Sequence, residues 1–394
     1  MARTVGRGES ITRDPGSVLV VPFADGIGDF VMLLPLLRHV RARFPRARIT
    51  VAASARSALL LDEGDPSRVR TPSWLRDRPK ARGGPLRRLI PQSLLARLAG
   101  LVLRPELGRH DLTLNLFLWW ERDLDFARHW TPQVPATPGA VHTLDALAER
   151  LAWELGAPLP VAARAPWVGV RTAAARWAEA WWLANADGDV APVVALVPQS
   201  NMRIKRWPLQ YWAALVDALA AAGARPLLVV PPGAEGTALA RALAELVAHT
   251  PGVLQAPLDC VAAVLTRCAL TVGVDTGLLH LAAAVGTRYV GLFGPTNPLV
   301  TGPYQRWLGE SLVAPFAKAA ACRGCWQQFK YIDDRCAALG TPSCMAHLPP
   351  DAVIAAAVRQ LALAATPSRL GEASPAAETG QRLAESIGLT PVPA

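Results

Sequence analysis

The chain has 394 residues, 51% of them hydrophobic, and a formal net charge of +10. This length favours two domains, and the apolar content is enough to give each of them a core. The polar N-terminal segment lacks the apolar run of a signal peptide, and no later apolar run reaches the roughly 18 uncharged residues of a membrane span. We therefore expect a cytoplasmic protein, and the positive charge predicts an acidic partner.

The first elements predict a Rossmann-like domain. After a polar leader at residues 1–16, SVLVVPF predicts a strand, FVMLLPLLRHVRARFP a helix and ARITVAAS a second strand. Strand, glycine-containing loop, helix and strand in this order make the βαβ unit of a parallel sheet. We assign residues 17–175 to this N-terminal domain. Within it, HTLDALAERLAWELG predicts a helix that ends at Gly156.

A basic insertion interrupts this domain at residues 66–109. Its arginines are interleaved with Leu, Ile, Val and Trp, a pattern typical of an amphipathic segment on an anionic membrane surface. A solvated loop with one buried helical face fits the same pattern. Nucleic acid is not an expected partner, because the chain has no helix-turn-helix, zinc-finger or aromatic RNA-binding signature.

Residues 176–365 repeat the alternation of strands and helices. PVVALVPQS, WPLQYWAALVDALAAAG and RPLLVVPPG begin the series, and CALTVGV, DTGLLHLAAAVG and RYVGLFGPT continue it. The fold class is therefore α/β, with two doubly wound domains facing each other across a cleft. Residues 366–394 are rich in Ala, Pro, Ser and Glu with weak periodicity, which predicts a disordered tail.

The loop ADGIGDF is the first candidate site, because ligands of open α/β sheets bind beyond the carboxyl ends of the strands. Its loop glycines Gly26 and Gly28 allow a close backbone approach, and Asp29 stands where the next helix begins. Aspartate at a helix start often acts as a cap. A carboxylate at a cleft edge can instead serve as a general base toward a hydroxyl group.

The loop PQSNMRIKRWP is the second candidate site. Ser200 and Asn201 offer hydroxyl and amide donors, and Lys205 is a flexible point charge of the kind that binds phosphate. The alternative is a surface lysine before a helix that starts at Pro208, with Trp207 packed beside it.

The stretch VGVDTGLLHLAAAVG is the third and most specific candidate. Its strand ends at Asp275, and Gly277 lets the backbone turn into a helix whose free N–H groups suit a diphosphate. His280 lies about one turn along the same helix face as Thr276. In the alternative interpretation, Asp275 or Thr276 is a helix cap and His280 is a satisfied core histidine.

Together these segments resemble glycosyltransferase family 9, the ADP-heptose heptosyltransferases of lipopolysaccharide synthesis. The matching stretches are GDFVMLLPLLRHVRARFPRARI, SNMRIKRWPLQYWAALVDAL and DTGLLHLAAAVGTRYVGLFGPTNPLVTGPY, in family order, between about Ser17 and Ala365. The resemblance implies a GT-B fold, two Rossmann-like domains with the donor nucleotide held mainly by the C-terminal one. It also implies inverting transfer without an essential catalytic metal or other catalytic cofactor.

The resemblance also implies roles for individual residues. By position, Asp29 resembles the family's catalytic aspartate and Lys205 its phosphate-binding lysine. The donor-binding D-T-G-x-x-H group of the family corresponds to Asp275, Thr276, Gly277 and His280. Glu235, in PPGAEGT, is a looser candidate for contact with the ribose or the base.

This chain departs from the family pattern in two places. Many relatives carry a glycine-containing loop where this chain has PQSN, at Ser200 and Asn201 of the second candidate site. A proline often follows the helix glycine, whereas Thr287 and Arg288 follow Gly286 here.

Four of the six cysteines form a candidate metal site in a segment at residues 322–344. The cluster consists of Cys322, Cys325, Cys336 and Cys344. One C-x-x-C followed by two separated cysteines approaches the spacing of a tetrathiolate site, so we predict structural zinc or iron, with free buried thiols as the alternative. Family 9 members that glycosylate proteins also use cysteines at this place as a metal finger. Cys260 and Cys268 have an apolar helical context and are predicted to be inert core residues.

The predicted function is an inverting glycosyltransferase that moves heptose from ADP-heptose to an anionic glycolipid, the lipopolysaccharide inner core. The basic insertion then predicts peripheral contact with the cytoplasmic face of the inner membrane. Two alternatives stay open: a family 9 enzyme for a protein or other surface-glycan acceptor, and a catalytically silent module that binds nucleotide sugar. The presence of Asp29, Lys205 and the D-T-G-x-x-H group together argues against a silent module.

Overall fold

The structure, a computed structural model, describes residues 14–22, 26–71, 110–116, 141–185, 191–315 and 344–365. Most of the basic insertion, the leader and the tail predicted to be disordered lie outside these residues. The same holds for Cys322, Cys325 and Cys336. The predictions made for these segments therefore stay predictions.

A four-stranded parallel sheet forms the first half, with the strand order β3-β2-β1-β4. Its strands are β1 (Ser17–Val21), β2 (Arg48–Ala52), β3 (Arg68–Arg70) and β4 (Leu112–Asn115). The helix α1 (Ile27–Arg43) connects β1 to β2, so the predicted βαβ unit is confirmed. β3 lies inside the predicted insertion and was not predicted as a strand. Three residues with two exposed arginines carry no strand signal of their own.

The helix α2 (Thr143–Leu155) has the predicted ends. His142 caps its start, because the ring Nδ1 accepts a hydrogen bond from the backbone N–H of Leu144 at 3.1 Å. Gly156 ends it in the left-handed conformation with φ = +65°, which glycine adopts without steric cost.

The helix α3 (Thr172–Asn185) follows α2 and contains the predicted domain boundary between residues 175 and 176. The alanine-rich sequence of this region resembles a linker, but alanine also has the highest helix propensity, and here a continuous helix forms. α3 packs against α6 (Leu258–Leu265) of the second half.

The second half is a six-stranded parallel sheet with the order β10-β9-β8-β5-β6-β7. Its strands are β5 (Val193–Val197), β6 (Arg225–Val229), β7 (Gly252–Leu254), β8 (Leu270–Val274), β9 (Tyr289–Phe293) and β10 (Gly309–Val313). The remaining helices are α4 (Leu209–Ala221), α5 (Ala234–Ala244), α7 (Gly277–Ala284), α8 (Pro298–Thr301) and α9 (Pro350–Ala365).

Helices cover both faces of this sheet, which explains why every residue of β8 and β9 is buried. Alternate residues point to opposite faces of a strand. Accordingly, Val272 and Val274 share a hydrophobic cluster with Val353 of α9, whereas Ala195 and Val197 belong to the cluster that contains α6.

The hydrophobic cluster that contains α6 joins the two halves of the molecule. It runs from the first sheet and α1 through α3 to α6 and α7. Burial on this scale fixes the start of α1 against α7. Among the described residues, none of the helices has both the length and the apolar character to cross a membrane.

Candidate functional site

Three loops of the second sheet converge at the carboxyl ends of neighbouring strands. Lys205 follows β5, Asp275 follows β8 directly, and Thr296 follows β9. Because β9, β8 and β5 are adjacent and parallel, these ends meet at one sheet edge, where open α/β sheets bind ligands. Two of the three predicted candidate loops therefore form a single site.

The centre of this site is a buried ion pair. The Lys205 Nζ atom lies 2.7 Å from Asp275 Oδ2, and the two side chains expose only 12% and 7% of their surface. The hydroxyl group of Thr296 donates to the same Oδ2 atom at 2.6 Å. Asp275 is thus a hydrogen-bond acceptor within a three-residue cluster and not a helix cap.

The surroundings keep the Asp275 carboxylate charged. Burial by itself would raise the pKa of this carboxyl, but the Lys205 ammonium and the hydrogen bonds from Lys205 and Thr296 outweigh it and lower the pKa below its usual value. A buried pair of this kind is costly to break, since removal of one partner leaves an uncompensated charge. The ammonium of Lys205 is therefore held at the sheet edge, within reach of an anionic ligand.

The starts of α1 and α7 touch each other across the two halves. A Cβ atom added to Gly277 would lie 2.6 Å from the Cβ of Ile27 and 2.7 Å from the backbone nitrogen of Gly28. One added to Gly28 would lie 2.8 Å from Cδ2 of His280. Only glycine leaves room for this approach, so Gly28 and Gly277 are packing glycines that bring two helix N-termini together.

Asp29 belongs to the first turn of α1, next to this contact. Its Oδ2 atom accepts a hydrogen bond from the backbone N–H of Gly26 at 3.0 Å, which is the capping arrangement expected of an aspartate at a helix start. The cap fixes the carboxylate at the junction of the two halves. A carboxylate can accept several hydrogen bonds, so the capping contact is compatible with a second partner.

His280 is buried beneath this contact, with 6% of its surface exposed. It makes a hydrogen bond with the backbone of Thr301. Burial lowers the pKa of its imidazole, opposed by the charge of Asp275 and reinforced by that of Lys205. His280 therefore fits the core-histidine alternative, and its one described hydrogen bond supports the polypeptide around the site.

The backbone around Thr301 is held from both halves of the molecule. The Thr143 hydroxyl donates to the carbonyl of Val300 at 2.9 Å, and His142 Nε2 donates to the carbonyl of Gly302 at 2.9 Å. The carbonyl groups on either side of Thr301 thus have side-chain donors from the N-cap and the first residue of α2. Neither donor could be assigned from the sequence, because the partners are more than 150 positions apart.

The remaining predicted donor contacts lie at the edge of the site. Ser200 is buried, and its hydroxyl accepts a hydrogen bond from the N–H of Met202 at 3.3 Å, whereas Asn201 is exposed. Thr276 precedes α7 without making a side-chain cap. Glu235 is exposed at the start of α5 and accepts a hydrogen bond from Gln199 at 3.3 Å.

Of the predicted metal ligands, the structure describes Cys344, which is buried. A Cβ atom added to Gly294 would lie 2.8 Å from its sulfur, so Cys344 lies behind the loop that carries Thr296. Within the described ranges, His, Cys, Asp and Glu residues form no group able to hold a metal ion. Cys268 is buried, and burial raises the pKa of its thiol to about 12, as expected for an inert core residue.

Comparisons with known proteins show a similarity to one family. The family model of glycosyltransferase family 9 (heptosyltransferase) matches residues 134–324, a range that includes both the Lys205 and the Asp275 loops. Lipopolysaccharide heptosyltransferase 1 of Escherichia coli strain K12 is 33% identical over 126 residues. Residues 134–324, just under half of the chain, are thus similar to glycosyltransferase family 9. The segment aligned with the E. coli protein is 32% of this chain and 39% of that relative, well below two thirds of its length.

Solved structures extend this likeness to the whole fold. A glycosyl transferase family 9 protein from Veillonella parvula has a TM-score of 0.59 at 18% identity, covering 90% of this chain and 99% of its own. The E. coli ADP-heptose lps heptosyltransferase II has a TM-score of 0.58 at 18% identity, covering 88% and 99%. The predicted GT-B fold is thereby confirmed.

Thr296 was not among the predicted site residues. Its position shortly after the segment RYVGLF, with Gly294 and Pro295 between them, is the one available signal, because polar residues that follow the carboxyl ends of parallel strands lie at the ligand edge of the sheet. The pattern does not reveal that β9 lies beside β8, and this neighbourhood is what brings Thr296 to Asp275.

Proposed function

We propose that this chain is an inverting glycosyltransferase that transfers heptose from ADP-heptose to a lipopolysaccharide inner-core acceptor. The observation that carries the proposal is the buried Lys205–Asp275 pair at the start of α7. The start of α1 packs against the start of α7. The names of the E. coli relatives supply the donor and acceptor classes.

The donor side of the proposal rests on charge. A nucleotide diphosphate carries negative charge, which Lys205 and the free N–H groups at the start of α7 can stabilise. This charge grows as the bond between the sugar and the β-phosphate breaks, so donors held at this position stabilise the transition state as well as the bound donor. Asp275 pairs with the ammonium of Lys205 through the 2.7 Å contact.

The acceptor side of the proposal rests on Asp29. An acceptor hydroxyl oxygen forms a bond to the anomeric carbon while the bond from that carbon to the β-phosphate oxygen breaks, and ADP leaves with the bonding electrons. The hydroxyl proton passes to a base on the face opposite the leaving group. Asp29 comes from the half of the molecule that faces the donor loops, and its cap hydrogen bond to Gly26 holds the carboxylate there.

The membrane and cell location follow from the nature of the acceptor. We propose that the protein is cytoplasmic and binds the inner membrane peripherally through the basic insertion at 66–109, where arginines attract anionic headgroups. Flotation with anionic vesicles compares the full chain with a variant lacking residues 76–109. Reduced flotation of the shortened chain is expected, and equal flotation would contradict the proposal.

A substitution of Asp29 tests the assignment of the base. Asp29→Ala should abolish heptosyl transfer while ADP binding, measured by calorimetry, persists, because the residue acts on the acceptor. Asp351→Ala is a matched control, since Asp351 is likewise an acidic residue in the first turn of a helix, α9, and is exposed. Turnover by Asp29→Ala close to that of the control would refute the assignment.

The acceptor class is tested separately. Purified protein with ADP-heptose should add mass to heptose-free lipopolysaccharide core and not to co-purified protein. Heptosylation confined to protein would support the alternative acceptor class, and ADP binding without transfer to either would support a silent module.

A further inference from the structure

The hydroxyl group of Thr296 occupies a special position in the site. It is 2% exposed and donates to the Oδ2 atom of Asp275 at 2.6 Å. Among the described residues, both side-chain hydrogen bonds to Asp275 end on this one oxygen, and the other comes from Lys205. A charged carboxylate only accepts hydrogen bonds, so the Thr296 hydroxyl must be the donor.

The loop that carries Thr296 is fixed on both sides. On one side Gly294 packs so closely that an added Cβ atom would lie 2.6 Å from the sulfur of Met345. On the other side the Asn297 side chain caps α8 by accepting from the N–H of Leu299 at 3.0 Å. The Thr296 hydroxyl is therefore preorganised, whereas the ammonium of Lys205 ends a long and flexible side chain.

This difference matters when an anion arrives. A diphosphate near the start of α7 competes with Asp275 for the Lys205 ammonium. If the ammonium moves toward the phosphate, the buried Asp275 carboxylate depends on its other donor, and a buried charge without a donor is strongly unfavourable. The fixed hydroxyl would allow Lys205 to turn to the ligand while Asp275 stays charged and in place.

We propose that Thr296 is a positioning residue of the donor site, whose hydroxyl holds the Asp275 carboxylate while Lys205 engages the donor diphosphate. The inference rests on the proposed donor site at Lys205 and α7. It assigns to Thr296 no contact with the sugar or the phosphates, and its effect passes through Asp275.

Two substitutions at Thr296 and one control substitution distinguish the effect of the hydroxyl group from the effect of the shape of the side chain. Thr296→Val keeps the shape and removes the hydroxyl, whereas Thr296→Ser keeps the hydroxyl. The control is Thr271→Val in β8, because Thr271 is fully buried and its hydroxyl has no hydrogen-bond partner within the described residues. All three proteins are full chains, and their folding is checked by circular dichroism and thermal unfolding.

Calorimetry with ADP is the main measurement. Thr296→Val should weaken ADP binding roughly tenfold to a hundredfold at pH 7, the range expected for loss of a hydrogen bond to a charged group. Thr296→Ser and Thr271→Val should bind like the wild type. Equal affinity of Thr296→Val and the wild type would overturn the inference, as would equal losses in Thr296→Val and Thr296→Ser.

The pH profile of ADP binding gives a readout that a purely structural role would not move. Loss of the hydroxyl removes one of the groups that lower the pKa of Asp275, so the acid limb of binding in Thr296→Val should shift to higher pH. An unshifted acid limb would contradict the positioning role. Failure of the wild type itself to bind ADP would instead overturn the proposed donor site, and the inference with it.

Discussion

Protonation of His142 should destabilise the folded protein, because this side chain connects the two halves of the molecule. The pH dependence of the free energy of unfolding measures the effect. The imidazole caps α2 through Nδ1 and donates from Nε2 to the carbonyl of Gly302. Both interactions require the neutral ring with its proton on Nε2. A second proton would sit on Nδ1, opposite the N–H of Leu144, and would break the cap.

The size of the effect follows from the pKa. Burial lowers the pKa of His142 from 6.5 to about 4, against the opposing hydrogen bond to Gly302. In the unfolded chain the ring gains its proton near pH 6.5, while in the folded protein it stays neutral down to about pH 4. The folded state therefore loses stability as the pH falls through this window, by about 1.4 kcal/mol per pH unit and about 3 kcal/mol in all.

The assay is urea-induced unfolding followed by tryptophan fluorescence, at several values between pH 7 and pH 4. His142→Asn keeps a side chain that can cap a helix and removes the titration, so the stability advantage of the wild type over this variant should shrink by about 3 kcal/mol as the pH falls. His347→Asn, at an exposed histidine, is the control. A constant difference for His142→Asn would refute the reasoning.

Three further predictions concern the site and the cysteines. Lys205→Met should weaken ADP binding, measured by calorimetry, by roughly tenfold or more. It should also lower the free energy of unfolding, measured with urea, by about 3 kcal/mol, because Asp275 is left buried without its cation. Arg203→Met, at an exposed arginine, is the control. Gly277→Ala should destabilise the protein by about 1–3 kcal/mol, since the added methyl meets Ile27 and Gly28, and an unchanged unfolding midpoint would exclude the tight contact. Metal analysis of freshly purified protein should find stoichiometric zinc or iron that is lost in Cys322→Ser, and a metal-free wild type would reject the metal site.

Much of the fold could be predicted because its signals are local. Hydrophobic periodicity located most strands and helices of both sheets, and Gly156 marked the end of α2 correctly. The short edge strand β3 was not predicted, because three residues do not form a recognisable pattern. Only its pairing with β2 defines it as a strand. The region of α3 was expected to be an interdomain linker with some helix, because its alanines are typical of both, and the structure has a continuous helix over Thr172–Asn185.

The site could be predicted only in part, for a related reason. The polar residues at strand ends were visible, so Lys205 and Asp275 could be named although they are 70 positions apart. Their direct pairing, and the addition of Thr296, depend on the order of strands β9, β8 and β5, which no local pattern specifies. The role of His280 was also ambiguous, because a histidine on an apolar helix face can contact a ligand or the backbone of a neighbouring loop.

The proposed function is the transfer of heptose from ADP-heptose to lipopolysaccharide core. The most direct measurement is mass spectrometry of heptose-free core incubated with ADP-heptose and either the wild type or Asp29→Ala. The account predicts that the core gains the mass of a heptosyl residue with the wild type, and that it stays unchanged with the variant. A core left unmodified by the wild type, under conditions where the protein binds ADP, would contradict the account.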